Sequence, residues 1–318
     1  MKAVVIEEAG GPEKLIYKDV PLPKIKPGWS LVKIMGFGIN HSEIFTSKGL
    51  SPSVKFPRIL GIECVGIIAE STDTDKLPVG QKVISIMGEM GRAFDGSYAE
   101  YAVLPNNQLY PITTNLSWPI LASIPETYYT AYGSLINLQI KKSDKVLIRG
   151  GTSGVGIAFL KLIKGKYPKI FVAGTSRSLK KEKEMTNIGY DRVVIDQDGE
   201  LQTNEKFDKI LELIGPKTVK DSFKHTNEFG IVCSTGELGN EWYLNNFDPI
   251  MDIAPNSYLT SFYSNNVNQA KINQLLEYIE KYHVDAKPEK VYDLAHVADA
   301  HRYLESSHSF GKVVVVEK

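Results

Sequence analysis

Cysteine is almost absent from this chain: Cys64 and Cys233 are the only two in 318 residues. Two cysteines cannot build a disulfide framework or a four-cysteine zinc lobe, and they fit a reducing compartment. Net charge is absent as well, with 37 basic and 37 acidic residues. That balance argues against nucleic acid or an anionic membrane as the main partner. No run of about 18 apolar residues occurs, so no membrane-spanning helix is expected. The apolar start stops at Glu7 and Glu8, too soon for a signal peptide. Repeats and low-complexity segments are missing too. A cytoplasmic protein is expected, of ordinary globular composition, 42% hydrophobic and long enough for two domains.

The pattern changes along the chain. Short β-prone runs at 3–6, 31–34, 64–69, 82–86, 98–103 and 108–112 are punctuated by Gly, Pro, Asn and Asp. Pro105, Pro111, Pro119 and Pro125 crowd a connecting stretch. Strands and helices then alternate: 146–148, helix 155–164, 170–173, helix 179–188, 192–195, 209–213, 231–234 and 258–262. Pro216 suits a first helical position. Alternation of this kind predicts a doubly wound parallel sheet. Ile272, Leu275, Leu276 and Ile279 share one face of a helix predicted over 268–282. The apolar tail at 312–316 is expected to return as a strand to the β-rich part. The expected division is 1–121 with 266–318, and 122–265.

The most informative motif is the strand 146–148, followed by the glycine turn Gly150 to Gly156 and a helix. Small residues let the backbone approach a diphosphate, and the helix N-terminus supplies free N–H donors. Gly151, Thr152, Ser153, Gly154, Val155 and Gly156 are the expected phosphate-binding residues. The second strand decides which nucleotide binds. An acid near its end would accept the ribose 2′-hydroxyl of NAD. Gly174 stands there instead, followed by Ser176, Arg177, Ser178 and Lys181. Donors and positive charge suit a 2′-phosphate, so NADPH is the expected cofactor, with Gly174, Ser176, Arg177 and Lys181 beside its adenosine. Thr235, Gly236 and Phe262 complete the expected cofactor set.

Further motifs carry a resemblance. They are Gly38-Ile-Asn-His-Ser-Glu43, Phe56-Pro-Arg-Ile-Leu-Gly-Ile-Glu-Cys-Val-Gly66, Gly80-Gln-Lys-Val83, Gly96-Ser-Tyr-Ala-Glu100, Thr130-Ala-Tyr132 and Gly311-Lys312. With the glycine loop they resemble the zinc-independent medium-chain dehydrogenase/reductases of the quinone oxidoreductase (zeta-crystallin-like) group, over nearly the whole length. The resemblance implies an α/β fold: a β-rich GroES-like catalytic domain plus a Rossmann cofactor domain, with the active cleft between them. It places Asn40 near the nicotinamide and Thr130 at its carboxamide side. Ser153 departs from the central loop glycine of many relatives, and being small it leaves the loop intact. Dimers joined through the last strand of the doubly wound sheet are common among relatives, so a homodimer is expected.

Zinc-dependent relatives carry ligands at positions that here read Asn40, Ile62 and a residue near Glu126. Asparagine and isoleucine do not make a zinc site, and His41 with Glu43 and Glu63 is a weak substitute. No metal is expected. The chemistry then rests on the nicotinamide, and the protein supplies donors for the developing negative charge. A quinone or other conjugated carbonyl suits such a site better than a plain ketone. Asn40, Tyr128, Tyr129 and Thr130 are the candidate catalytic residues, with the two tyrosines equally suited to wall packing. No tyrosine precedes a lysine by four residues, which removes the short-chain reductase mechanism. No Gly-x-Ser-x-Gly elbow occurs either. An alkenal or aldehyde reductase, or a low-turnover NADPH-binding redox sensor, remain alternatives.

Overall fold

Valine- and isoleucine-rich runs interrupted by glycine and proline fold the N-terminal third into antiparallel sheet. The computed structural model describes residues 1–306 and 308–317. The chain forms two units. The first is Met1–Tyr129 with Ser264–Glu277 and Ala286–Lys318, and the second is Thr130–Tyr263 with Tyr278–Asp285. Among the described residues no helix is long and apolar enough to cross a membrane.

The first unit is built on the strand Trp29–Ile39. It pairs antiparallel with Glu63–Glu70, Tyr101–Pro105 and Val313–Val316. The C-terminal strand thus joins the N-terminal sheet, in the register Val313↔Ile39 to Val316↔Gly36. A smaller sheet orders Leu15–Asp19, Lys2–Ile6 and Arg58–Ile59. One apolar core, including Ile6, Ile34, Leu60 and Val315, fills this unit.

The second unit holds parallel strands in the order Arg192–Gln197, Phe171–Ser176, Lys145–Arg149, Phe207–Glu212, Thr226–Ser234 and Tyr258–Ser261. This is the doubly wound order. A short strand, Glu200–Leu201, adds antiparallel to Arg192–Gln197 at one edge. Leu147, Ala173, Val194, Ile210 and Val232 face the helix Val219–Lys224 through Val219 and Phe223.

One local expectation needs correction. Pro216 does not open a helix: the helix is Val219–Lys224, and Pro216 lies in the turn before it. The backbone at Gly215, with φ of +93°, makes that turn. The connecting stretch that the prolines crowd is itself partly helical. Pro119 lies in the first turn of the helix Trp118–Ala122, and Pro125 begins the helix Pro125–Leu138. The expected change of domain at 121/122 compares with a change of unit within that second helix, at Tyr129/Thr130. Tyr278–Asp285 belongs to the second unit, where the Tyr278 hydroxyl donates to the Leu162 carbonyl at 3.0 Å.

Candidate functional site

In the second unit the strand Lys145–Arg149 runs into Gly150, whose φ of +90° starts the turn. Ser153 caps the helix Gly154–Lys166: its Oγ accepts from the Gly156 amide at 3.1 Å and donates to the Gly150 carbonyl at 2.8 Å. The serine that departs from the glycine pattern therefore knits the loop to itself. A Cβ at Gly156 would lie 2.6 Å from the Gly150 oxygen, and one at Gly151 would lie 3.0 Å from Gly174 Cα. Thr175 closes the other side, accepting from the Gly150 amide at 2.9 Å. The first-turn N–H groups of Gly154 and Val155 have no acceptor within the helix. The glycines clear a cradle and the helix end supplies donors, so these residues fit a diphosphate.

Gly174, expected at the end of the second strand, lies instead two residues inside the strand Phe171–Ser176, and Tyr190 explains it. A Cβ at 174 would lie 2.4 Å from the Tyr190 ring. Tyr190 is buried, and its hydroxyl donates to the Gly151 carbonyl at 2.8 Å. Burial pushes that hydroxyl's pKa far up, so it remains a donor. Ser176 ends the strand, and Arg177 is exposed just beyond it. Lys181 lies in the 3-10 turn Leu179–Lys181. The amides of Thr235 and Gly236 donate to the Glu212 carbonyl at 2.9 and 3.2 Å. Thr235 Oγ1 lies 3.0 Å from Ser134 Oγ. Thr130 is buried in its helix, and its carbonyl accepts from that same serine. The Phe262 ring packs where a Gly133 side chain would stand.

Sequence reasoning missed a buried hub beside this loop. Arg149 is fully buried and binds Asp196 with two donors, at 2.7 and 3.1 Å. It also donates to the Gly199 carbonyl at 2.7 Å, to the Thr218 carbonyl and to Ser222 Oγ, and its Nη1 lies 3.0 Å from Asp221. Ser222 in turn donates to the buried Glu212, which accepts from the Ile214 and Gly215 amides. One side chain thus ties the strand leading into the glycine loop to three neighbouring segments. A charged residue at the end of an apolar strand was the only sequence signal.

In the first unit Asn40 follows the strand Trp29–Ile39 and precedes the helix His41–Ser47. Its side chain does not cap that helix. Its Oδ1 accepts from Lys312 Nζ at 2.6 Å, and its Nδ2 donates to Glu63 Oε1 at 2.9 Å and to Glu43 Oε1 at 3.3 Å. Lys312 Nζ also lies 2.7 Å from Glu63 Oε1, and the second Glu63 oxygen accepts from the Glu126 amide. Glu63 is fully buried and Lys312 nearly so. Gly38 makes room: a Cβ there would lie 2.3 Å from Lys312 Nζ. Glu43 is buried, and its Oε2 has no hydrogen-bond partner. Burial, and then the nearby Glu63 charge, push its pKa up to about 8. Lys312 was visible in the sequence only as part of a motif, without a role.

His41 lies beside Phe45, and burial lowers its pKa. Among the described residues no three His, Cys, Asp or Glu side chains are grouped so as to hold a metal ion. Tyr128 and Tyr129 are buried, and the Tyr129 hydroxyl donates to the Asn266 carbonyl at 2.8 Å. Burial raises its pKa.

Comparison with known proteins agrees with this architecture. The alcohol dehydrogenase GroES-like domain matches residues 26–114, and the zinc-binding dehydrogenase family matches residues 188–315. The quinone oxidoreductase of Homo sapiens is 30% identical over 185 residues, 57% of this chain and 55% of that protein. The chloroplastic NADPH-dependent alkenal/one oxidoreductase of Arabidopsis thaliana is 26% identical over 329 residues, 99% of this chain and 79% of that one. The chain spans about half the length of the curated relatives it matches at 30% identity or more. In fold it is similar to the quinone oxidoreductase from Coxiella burnetii, with a TM-score of 0.84, 23% identity, and coverage of 100% of this chain and 99% of that one. With its GroES-like β unit, its doubly wound second unit and these relatives, the chain belongs to the medium-chain dehydrogenase/reductases, in their quinone oxidoreductase-like group.

Proposed function

We propose that this protein is an NADPH-dependent oxidoreductase that transfers hydride to a quinone or other conjugated carbonyl without a metal. The observation that carries the reading is the state of Asn40. It occupies the first ligand position of zinc-dependent relatives, and its amide is taken up by Lys312, Glu63 and Glu43. Ile62, at the second position, offers no donor atom. The matched family's description mentions zinc, but these two residues argue against a zinc site here.

When bound, the nicotinamide supplies the hydride. The chain's own residues bind and orient. The loop Gly151 to Gly156 receives the diphosphate, and Thr235, Gly236 and Phe262 belong to the same cofactor set. Ser176, Arg177 and Lys181 offer donors to a 2′-phosphate, and the strand end at Ser176 carries no acid. Thr130 is the proposed carboxamide contact. Asn40 is the proposed residue beside the nicotinamide and acceptor, its amide held in place by Lys312, Glu63 and Glu43. Conjugation spreads the charge that hydride transfer creates, which lessens the need for a Lewis acid. The name of the Arabidopsis relative favours alkenals and enones as a second acceptor class beside quinones.

The test is NADPH oxidation after dialysis against a chelator, with no metal added. Quinones and enones should be reduced much faster than acetone, because an unassisted alkoxide raises the barrier by several kcal/mol. Faster turnover of a plain ketone, or activity that returns only with zinc, would refute the reading. Silence across a broad quinone and enone panel would favour the NADPH-binding sensor.

Cofactor choice has its own test. Arg177→Ala should weaken NADPH by about 1.5–3 kcal/mol and leave NADH unchanged. Equal wild-type affinity for the two nucleotides would contradict the assignment of Arg177.

We also infer a two-fold dimer. Tyr258–Ser261 is the last strand of its sheet and pairs only with Thr226–Ser234 among the described residues. Tyr258 and Leu259 on it are exposed, and such an edge invites pairing with a second copy. Light scattering at micromolar concentration should give twice the chain mass, and a monomer would end this inference.

A further inference from the structure

A cavity of about 470 Å³ opens in the first unit, and none of Asn40, Glu43, Glu63 or Lys312 lines it. One wall comes from the small sheet, through Val5, Lys18 and Arg58, and the other from Trp29 and Tyr101 at strand ends of the larger sheet. Its volume is that of a small-molecule site. Apolar side chains make most of the surface. Trp29 and Phe94 meet there edge to face, with ring centroids 4.9 Å apart.

The charges around it do not cancel. Lys18, Lys24, Lys26 and Arg58 line the cavity against two acids, Glu7 and Asp95. Lys18 pairs with Glu7, and Arg58 Nη1 donates to Asp95 at 2.9 Å. Lys24 and Lys26 have no acidic partner among the described residues, and Lys26 Nζ lies 3.8 Å from the Trp29 ring centroid. Within the same lining, Arg58 Nε is buried and has no hydrogen-bond partner. The Arg58 side chain is nevertheless 18% exposed, and an anionic oxygen is the best acceptor for a guanidinium.

We propose that this cavity binds a small aromatic carboxylate. The flat body lies against Trp29 and Phe94, and the carboxylate meets the exposed part of the Arg58 guanidinium under the field of Lys24 and Lys26. Asp95 already shares the guanidinium, so one negative charge is accommodated where a phosphate dianion would be repelled. A guanidinium between two carboxylates keeps a planar donor for each.

Calorimetric titration of the full chain with 2-naphthoate tests this. Saturable binding with Kd below about 1 mM is expected. The uncharged 2-naphthamide should bind at least about ten-fold more weakly, since it keeps the shape and loses the charge. Arg58→Met should weaken 2-naphthoate at least about ten-fold, by removal of a charge-assisted hydrogen bond. Val20→Trp fills the cavity without touching its charges and should abolish binding. Circular dichroism reports whether each variant is folded, and Val20→Trp decides the matter if Arg58→Met is not. No saturable heat with the wild type, equal affinity for the amide, or undiminished binding by Val20→Trp would each overturn the proposal.

Discussion

Lys312→Met is expected to lower the stability of the protein by about 3–5 kcal/mol in urea unfolding, the usual cost of leaving one partner of a buried ion pair behind. Lys312 and Glu63 are 2.7 Å apart, with side chains 6% and 0% exposed. Methionine keeps the stem and removes the ammonium. Glu63 would then retain only the Asn40 amide and the Glu126 backbone N–H. The expected signature is non-additivity. Glu63→Gln together with Lys312→Met removes both charges and should recover much of the loss. A single variant within about 0.5 kcal/mol of wild type, the range of ordinary surface substitutions, would show that the pair carries little. Asn40 should feel the same change, because Lys312 orients its Oδ1. Acceptor turnover in Lys312→Met is therefore expected to fall even at temperatures where the variant remains folded.

Glu43→Gln is expected to stabilise the protein at pH 8 and to be nearly neutral at pH 4. The folded-state pKa of Glu43 is pushed up to about 8 by burial and by Glu63. An unfolded glutamate titrates near 4.3. Between these values the folded chain holds a proton that the unfolded chain has released. Stability from this group is therefore fully present below about pH 4.3, declines as pH rises, and is lost once pH passes about 8. At about 1.4 kcal/mol per pH unit, the full swing is at most about 5 kcal/mol. Glutamine carries no such proton, so the difference between variant and wild type should grow with pH across that window. Other titrating groups are common to both proteins and cancel. A difference that is flat from pH 5 to 8 would mean that Glu43 is ionised in the folded protein throughout.

The glycine loop was legible because its information is local. Gly150, Ser153 and Gly156 act on one another across a few residues, and the flanking strand and helix announce themselves by composition. The alternation of strands was legible for the same reason, and the doubly wound order follows from it. The buried polar clusters were not. Lys312 finds Glu63 from far along the chain, and Arg149 finds Asp196 on one segment and Asp221 with Ser222 on another. Sequence gives the residue types but not which distant groups meet, and a buried charge is tolerable only because they do. Pro216 misled because a proline suits a turn as well as a first helical position, and the left-handed Gly215 decided for the turn. Asn40 was read as a site residue, but its fixed orientation depends on partners that only the fold brings together.

The contact between Gly174 and Tyr190 also constrains the history of this chain. The two positions share one volume: a side chain at 174 and the ring at 190 cannot both be present. A lineage acquiring any side chain at 174 must shrink residue 190, and that step removes the Tyr190 hydroxyl from the Gly151 carbonyl while opening a void beneath the loop. Taken in the other order, the first step is a steric clash inside a sheet. Each single change is unfavourable until the other is made. Descendants of this sequence are therefore held to glycine at 174 for as long as tyrosine remains at 190.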